Sequence, residues 1–477
     1  MGLNIHNIVT SKGHVWKPDN RYSILLACMM GVLIVMMVIP DGFNYAPDAG
    51  APTSGSTISR LLWLSLLGIG GIFTLWRIGL AWLLVRGLNP FLLLFVVLAV
   101  MSIAWSIDSS LTVRRLVRLI TFVLVCTAFV LSAWHARRFQ NIVRAVLTLL
   151  LFGSIVFCLV SPQLAIHWEK SPELYGAWHG LATQKNGLGA LACFGVIFWF
   201  HAWLNREVKL RYVLLGIAIA AICLIKSKSD TSLITALAAM VIMTLMMRAP
   251  LSIRPYRPLL ISVAAIILLI YALTILRIIP GSNTLLAPIM ALTGKDMSFS
   301  GRSDIWAIVS AHIDLHPILG TGYAAYWDPQ PVPGHDSFVF PALLQGFYPG
   351  SSHNGYLEVM NDLGWVGLIL LLGFIFVYMR QSIQLMAIDT GQGALYIGLF
   401  FQQAITNLSE SHWFDVTSVD FVFMMLATMA MARSLLEHRL RTVFGDPYSS
   451  IGGIQDDLSG RMQTGSGQFQ HYKNMMP

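Results

Sequence analysis

Charge is scarce in this sequence. Asp, Glu, Lys and Arg together make up 11% of its 477 residues, while 56% are apolar. A soluble globular domain is about one quarter charged, so the composition excludes that class and points to a polytopic membrane protein. Cysteine is scarce as well. The five thiols, at 28, 126, 158, 193 and 223, all lie inside apolar runs. No loop holds a pair, so there is neither a disulfide framework nor a CxxC metal site, and the thiols read as small core residues. There is no Walker A motif, which excludes ATP as the energy source. There is no HExxH, no DxD and no carboxylate pair at metal spacing, so neither a metal nor a cofactor is expected. A cleavable signal peptide is not expected either, because the first apolar run is long and has no A-x-A-type end.

What is present is a series of about twelve apolar segments, each near the roughly 20 residues needed to cross a bilayer. They lie near 22–40, 59–77, 89–107, 115–134, 141–160, 187–204, 210–226, 231–247, 258–280, 356–379, 391–408 and 416–434. The expected fold is therefore all-α and polytopic. Twenty of the 31 basic residues fall on one side of this arrangement, including Arg77, Arg137, Arg206, Arg248 and Arg439. By the positive-inside rule that side is cytoplasmic, and it carries both termini. The basic balance thus reflects topology, and no nucleic-acid partner is implied. The expected organisation is a cytoplasmic segment 1–21, nine spans over 22–280, a large periplasmic loop 281–355, three spans over 356–434, and a cytoplasmic, disordered tail 435–477.

Most outer loops are short, but 161–186 and 281–355 are too long to be idle connectors. Ile305, Val309 and Ile313 repeat at helical spacing after Arg302, which predicts a surface helix lying on the membrane and ended by Pro317 and Gly320. The turn-rich stretch that follows predicts a mobile cap. Asn354 predicts the N-cap of the tenth span. Trp168, Trp178 and Trp327 suit an interfacial aromatic belt.

The outer face also gathers the basic residues that defy the charge rule. "WHGLATQKNGLG" supplies Lys185, "KSKSDTS" supplies Lys226 and Lys228, and "SLTVRRLVRL" supplies Arg114 and Arg118, four apart on one helical face. "GRSDIW" supplies Arg302, and "SHNGYLEVMNDLGWVGL" supplies His353 and Asn354. Cations at membrane level are costly and mark function. Arginine forks and helix N-termini suit phosphate oxygens, so a lipid pyrophosphate in the outer leaflet is a natural ligand. An imidazole titrates near neutrality and suits a base beside it. Blander assignments stand next to these. A single juxtamembrane cation snorkels to headgroups, Arg114 and Arg118 suit lipid as well as substrate, Asn354 suits a cap alone, and His353 suits a hydrogen bond at a helix start.

Taken in order, "QKNGLG", "SKSDTS", "GRSDIW", "LGTGY" and "SHNGYLEVMNDLGWVGL" resemble the O-antigen ligase / Wzy-type polysaccharide polymerase superfamily over roughly 178–380. Within it, the last motif looks most like the exopolysaccharide polymerases of the succinoglycan type. The resemblance implies a helical, metal-independent GT-C-type transferase acting at the periplasmic face of the bacterial inner membrane on glycans linked to undecaprenyl pyrophosphate. It implies that Arg302 contacts the pyrophosphate and that His353 serves the acceptor hydroxyl. Lys228 stands where the family usually has arginine, keeping the charge but losing the fork, and Lys185 matches a polar contact.

The expected reaction is inverting transfer of one lipid-linked repeat unit onto another, with a chain-length regulator and an export complex as further partners and membrane lipids around it. Lys228, Lys226, Lys185, Arg114, Arg118 and Asn354 are the expected substrate-binding residues. Tyr326, Trp327 and Tyr348 are expected to stack on sugar rings, and Glu358 and Asp362 to orient His353 or pair with cations. Three rivals remain. One is an O-antigen ligase with lipid A core as acceptor. Another is a lipid-linked glycan transporter, which would place its charges at mid-membrane. The third is a non-catalytic scaffold.

Overall fold

The structure is a computed structural model, and it describes residues 22–45, 56–132, 135, 137–169, 174–275, 302–328 and 349–444. Among the described residues the architecture is helical, with a single isolated bridge between Ile166 and Trp178 and no strand. The helices are α1 Ser23–Val38, α2 Thr57–Trp76, α3 Ile78–Gly87, α4 Pro90–Met101, α5 Ser109–Leu131, α6 Arg138–Val160 and α7 Lys185–Leu204. They continue with α8 Leu210–Lys226, α9 Asp230–Arg248, α10 Arg257–Ile275, α11 Arg302–Leu315, α12 Gly355–Ile388, α13 Thr390–Thr406 and α14 Val419–Phe444.

Each of the twelve expected segments holds a helix. On length and hydropathy, among the described residues, α2, α6, α7, α9, α12 and α14 are long and apolar enough to cross a membrane. The bent pair α3–α4 makes a seventh if it counts as one broken span. Of the other expected segments, α1, α8 and α13 are short, and α5 carries Arg114, Arg115 and Arg118. Asn89 makes the break between α3 and α4, capping Phe91 N ahead of Pro90 and donating to Phe374 O at 2.9 Å. The chain is an all-α polytopic membrane protein with α14 at its centre. Of α14's apolar window 89% is buried within the protein, against 17% for α2, which faces outward.

Four expectations need correction. α14 runs through Phe444, beyond the expected boundary at 434, because Glu437 pairs with Arg433 at 3.0 Å and Arg441 at 3.3 Å on adjacent turns. The stripe Ile305, Val309, Ile313 is buried and α11 packs on α12, so it serves the protein core rather than a membrane surface. Cys28 is exposed, unlike the other four cysteines. Trp327 and Tyr326 are 5% and 0% exposed, so neither offers a belt or a sugar-stacking face. Tyr348 and most of the expected cap lie outside the described residues.

The "LGTGY" stretch has a structural cause. α12 breaks at Gly364, where φ is +62° and ψ is −157°. The break frees backbone groups, and residues 317–322 take them up. Trp365 N donates to Pro317 O at 2.8 Å, Val366 N to Ile318 O at 3.2 Å, and Gly322 N to Asp362 O at 2.9 Å. A broken helix in an apolar setting requires such replacement partners. A Cβ at Gly364 would meet the Ile318 carbonyl, in a backbone region essentially reserved for glycine. Gly364→Ala is expected to destabilise by about 1–3 kcal/mol and to lower the melting temperature in detergent. Gly68→Ala, which meets nothing within 4 Å, is the control expected to leave it unchanged.

Candidate active site

Four stretches meet at the end of the bundle where α7, α11 and α12 begin. They are the start of α7, the start of α11, the entry to α12 at 349–354, and the loop 407–418 between α13 and α14. Glu410, in that last loop, joins them. Its Oε1 accepts from Asn186 Nδ2 at 2.8 Å and from Arg302 Nη2 at 3.1 Å, and its Oε2 lies 3.3 Å from His353 Nδ1. Arg302 and His353, expected to act together, are thus brought to one carboxylate.

His353 is held by its neighbours. Ser352 N donates to Glu358 Oε2 at 2.7 Å, and Asn354 N donates to Ser411 Oγ at 3.0 Å. Between these anchors His353 adopts φ +50°, a left-handed conformation costing about 1–2 kcal/mol for a residue with a Cβ. Strain of this kind persists only where the surroundings over-determine it. Glu358 therefore acts on the backbone before His353 and makes no contact with the imidazole among the described residues. Asn354 is buried and caps α12, with Oδ1 accepting from Tyr356 N at 3.0 Å and Leu357 N at 3.2 Å. That oxygen is committed to the helix.

The other expected cations are placed differently. Lys228 is exposed and its Nζ donates to Tyr175 O at 2.8 Å, while Lys226 Nζ sits 5.8 Å from the Trp178 ring centre. Both hold the 174–179 loop. Lys185 is half-buried in the first turn of α7, beside Asn186. Arg114 is exposed, and Arg118 lies 5.4 Å over Trp63. Arg115, between them, lines a small chamber of about 50 Å³ with Glu358, Asp362 and Asp415. The structure thus groups Arg302 and His353, keeps Lys185 beside Asn186 at the start of α7, and places Lys226 and Lys228 at the 174–179 loop.

A cavity of about 540 Å³ opens beside this cluster. His353, Glu410, His412, Asp415 and Asp420 line it, together with Gln184 and Asn186. Among the described residues, no group of three or more His, Cys, Asp or Glu side chains is arranged to hold a metal ion. Burial pushes the Glu410 carboxyl up, but the hydrogen bond and charge of His353, with Arg302 and His412, outweigh it and hold the group below its ordinary range. Burial pulls the His412 imidazole down, but Asp420 at 3.3 Å, with Glu410 and Asp415, pushes it up to about 9. A raised imidazole contributes stability that is complete below its ordinary value near 6.5 and lost as pH rises through the folded one. His412→Gln is therefore expected to melt below wild type at neutral pH, the gap closing as pH passes about 9.

Glu410, His412, Asp415 and Arg115 were not among the expected site residues. The signal for the first three was the short stretch "SESHWFD" (409–415), three titratable residues in one interhelical loop.

Residues 215–372 match the O-antigen ligase family model. The chain is also 30% identical over 285 residues to the exopolysaccharide production protein ExoQ of Rhizobium meliloti (strain 1021), a match covering 58% of this chain and 61% of that protein. The chain thus spans about three fifths of that curated relative's length. Arg302, His353, Lys226 and Lys228 fall inside the family match, and Glu410 lies beyond it.

Proposed function

We propose that the protein is a membrane glycosyltransferase, a reading supported by the match of residues 215–372 to the O-antigen ligase family model and by the likeness to an exopolysaccharide production protein. It polymerises undecaprenyl-pyrophosphate-linked repeat units at the periplasmic face of the bacterial inner membrane. The observation that supports this reading most directly is the Glu410 carboxylate, which binds Arg302 and His353 at the edge of one cavity.

The proposed step is a direct displacement. With Nδ1–H of His353 donated to Glu410, Nε2 carries the lone pair. It takes the proton of an acceptor hydroxyl as that oxygen attacks C1 of the donor glycan. The bond from C1 to the diphosphate oxygen breaks, its electrons leave with the diphosphate, and the configuration at C1 inverts. Arg302 stabilises the charge that grows on the leaving group. The diphosphate ester supplies the driving force, and His353 returns its proton to solvent.

The test uses purified protein in nanodiscs with a lipid-linked repeat unit and no ATP or metal. Products at multiples of the repeat mass are expected by mass spectrometry. The family description favours one second reading, transfer to lipid A core. Glycosylated core in place of a ladder would establish that instead.

A further inference from the structure

The cavity beside His353 is poorly suited to a diphosphate. Three carboxylates line it, Glu410, Asp415 and Asp420, and Arg302 is not among its described lining residues. The facing cation, His412, is already paired with Asp420 at 3.3 Å. A dianion placed there meets more negative than positive charge. Ligand hydroxyls, by contrast, donate to carboxylates and to the small polar groups of Ser351, Thr417 and Ser418 along the same wall. Met37, Val38 and Leu191 form an apolar side suited to the C–H faces of a sugar ring. The volume falls within the roughly 300–1,000 Å³ of small-ligand sites.

A second observation points the same way. The small chamber lined by Arg115 and Asp362 shares Ser351, Ser411, Asp415 and Thr417 with the cavity. Asp362 is 7% exposed, and its Oδ1 has no hydrogen-bond partner among the described residues, although Oδ2 accepts from Ala324 N at 2.8 Å. A buried carboxylate oxygen left in this way calls for a donor, and a chamber of about 50 Å³ has room for a ligand hydroxyl or for water.

We infer that this cavity is the acceptor subsite and takes a neutral, hydroxyl-rich saccharide, with Asp415 reading the acceptor's hydroxyls, while the lipid diphosphate lies outside it on the Arg302 side of Glu410. The inference rests on the polymerase reading for the direction of transfer. It places His353 between the two substrates, lining the acceptor cavity and sharing Glu410 with Arg302. It also sets a specificity, because a saccharide with a carboxylate at its accepting end is repelled by Asp415 and Asp420. Asp415 suits the role because its carboxylate accepts from Thr417 N and Oγ1, at 2.7–2.8 Å in an exposed turn, which leaves acceptor capacity.

The experiment uses the full chain in nanodiscs and two probes, the repeat-unit oligosaccharide freed from its lipid by mild acid and undecaprenyl pyrophosphate. Affinities are read by microscale thermophoresis. Asp415→Asn is expected to weaken oligosaccharide binding by about 10- to 100-fold, the loss of one charged hydrogen bond, and to leave undecaprenyl pyrophosphate binding unchanged. Thr417→Val, a milder change in the same turn, is expected to weaken the oligosaccharide less and in the same direction. Excess undecaprenyl pyrophosphate is expected not to displace the oligosaccharide. Displacement overturns the inference, as does a loss confined to the lipid probe or an unchanged oligosaccharide affinity in folded variants. Asp415-dependent saccharide binding by a protein that builds no polymer would uphold the subsite and sink the polymerase reading. Polymer formation with no Asp415 dependence would do the reverse.

Discussion

Replacing His353 with alanine is expected to cut polymer formation by about 10²- to 10⁴-fold, the usual worth of a positioned general base. Binding of the lipid-linked donor should change little, since the proposed contact of His353 is with the acceptor hydroxyl. His353→Gln separates two roles. Glutamine can orient a hydroxyl but cannot take its proton at neutral pH. Turnover near wild type in that variant would show that His353 only orients. Glu410→Gln probes the same unit from outside. It removes the anion that fixes the imidazole tautomer and the partner that Arg302 holds at 3.1 Å. An orienting carboxylate of this kind is worth about 10- to 100-fold in activity. Glu410 also carries stability that is present above the ordinary carboxylate range and fades as pH falls through its depressed value. The melting-temperature gap between wild type and Glu410→Gln should therefore be widest near neutrality and narrow in acid.

Arg302→Ala is the second large effect. Loss of a preorganised donor to a developing anion costs about 10²- to 10³-fold in turnover. Because the charge grows in the transition state, the loss should fall on kcat more than on KM. Arg302→Lys should recover part of it, as lysine keeps the charge but lacks the planar fork. A change in KM alone, with kcat intact, would mean that Arg302 docks the donor and does nothing for bond cleavage. Both variants are to be compared with Arg114→Ala. Arg114 is exposed on α5 and outside the described lining of both cavities, so wild-type polymer is expected from that change.

The position of the helices was legible in the sequence because hydropathy and helical period are local properties. The apolar runs, the N-cap Asn354, the helix after Arg302 and the membrane class all follow from residues within a few turns of one another. The pairing inside the site was not legible in that way. Glu410 meets His353 across 57 positions, Arg302 across 108 and Asn186 across 224, and no pattern along the chain records such contacts. The same holds for Lys228, whose charge suggested a phosphate ligand until folding gave it the Tyr175 carbonyl. It holds for Trp327 and Tyr326 too, aromatic residues that packing withdrew from the surface. Residue type and local spacing thus determined where the helices lie and which charges were out of place. Only tertiary structure decided which of those charges share a carboxylate, because that depends on how helices distant in sequence end together.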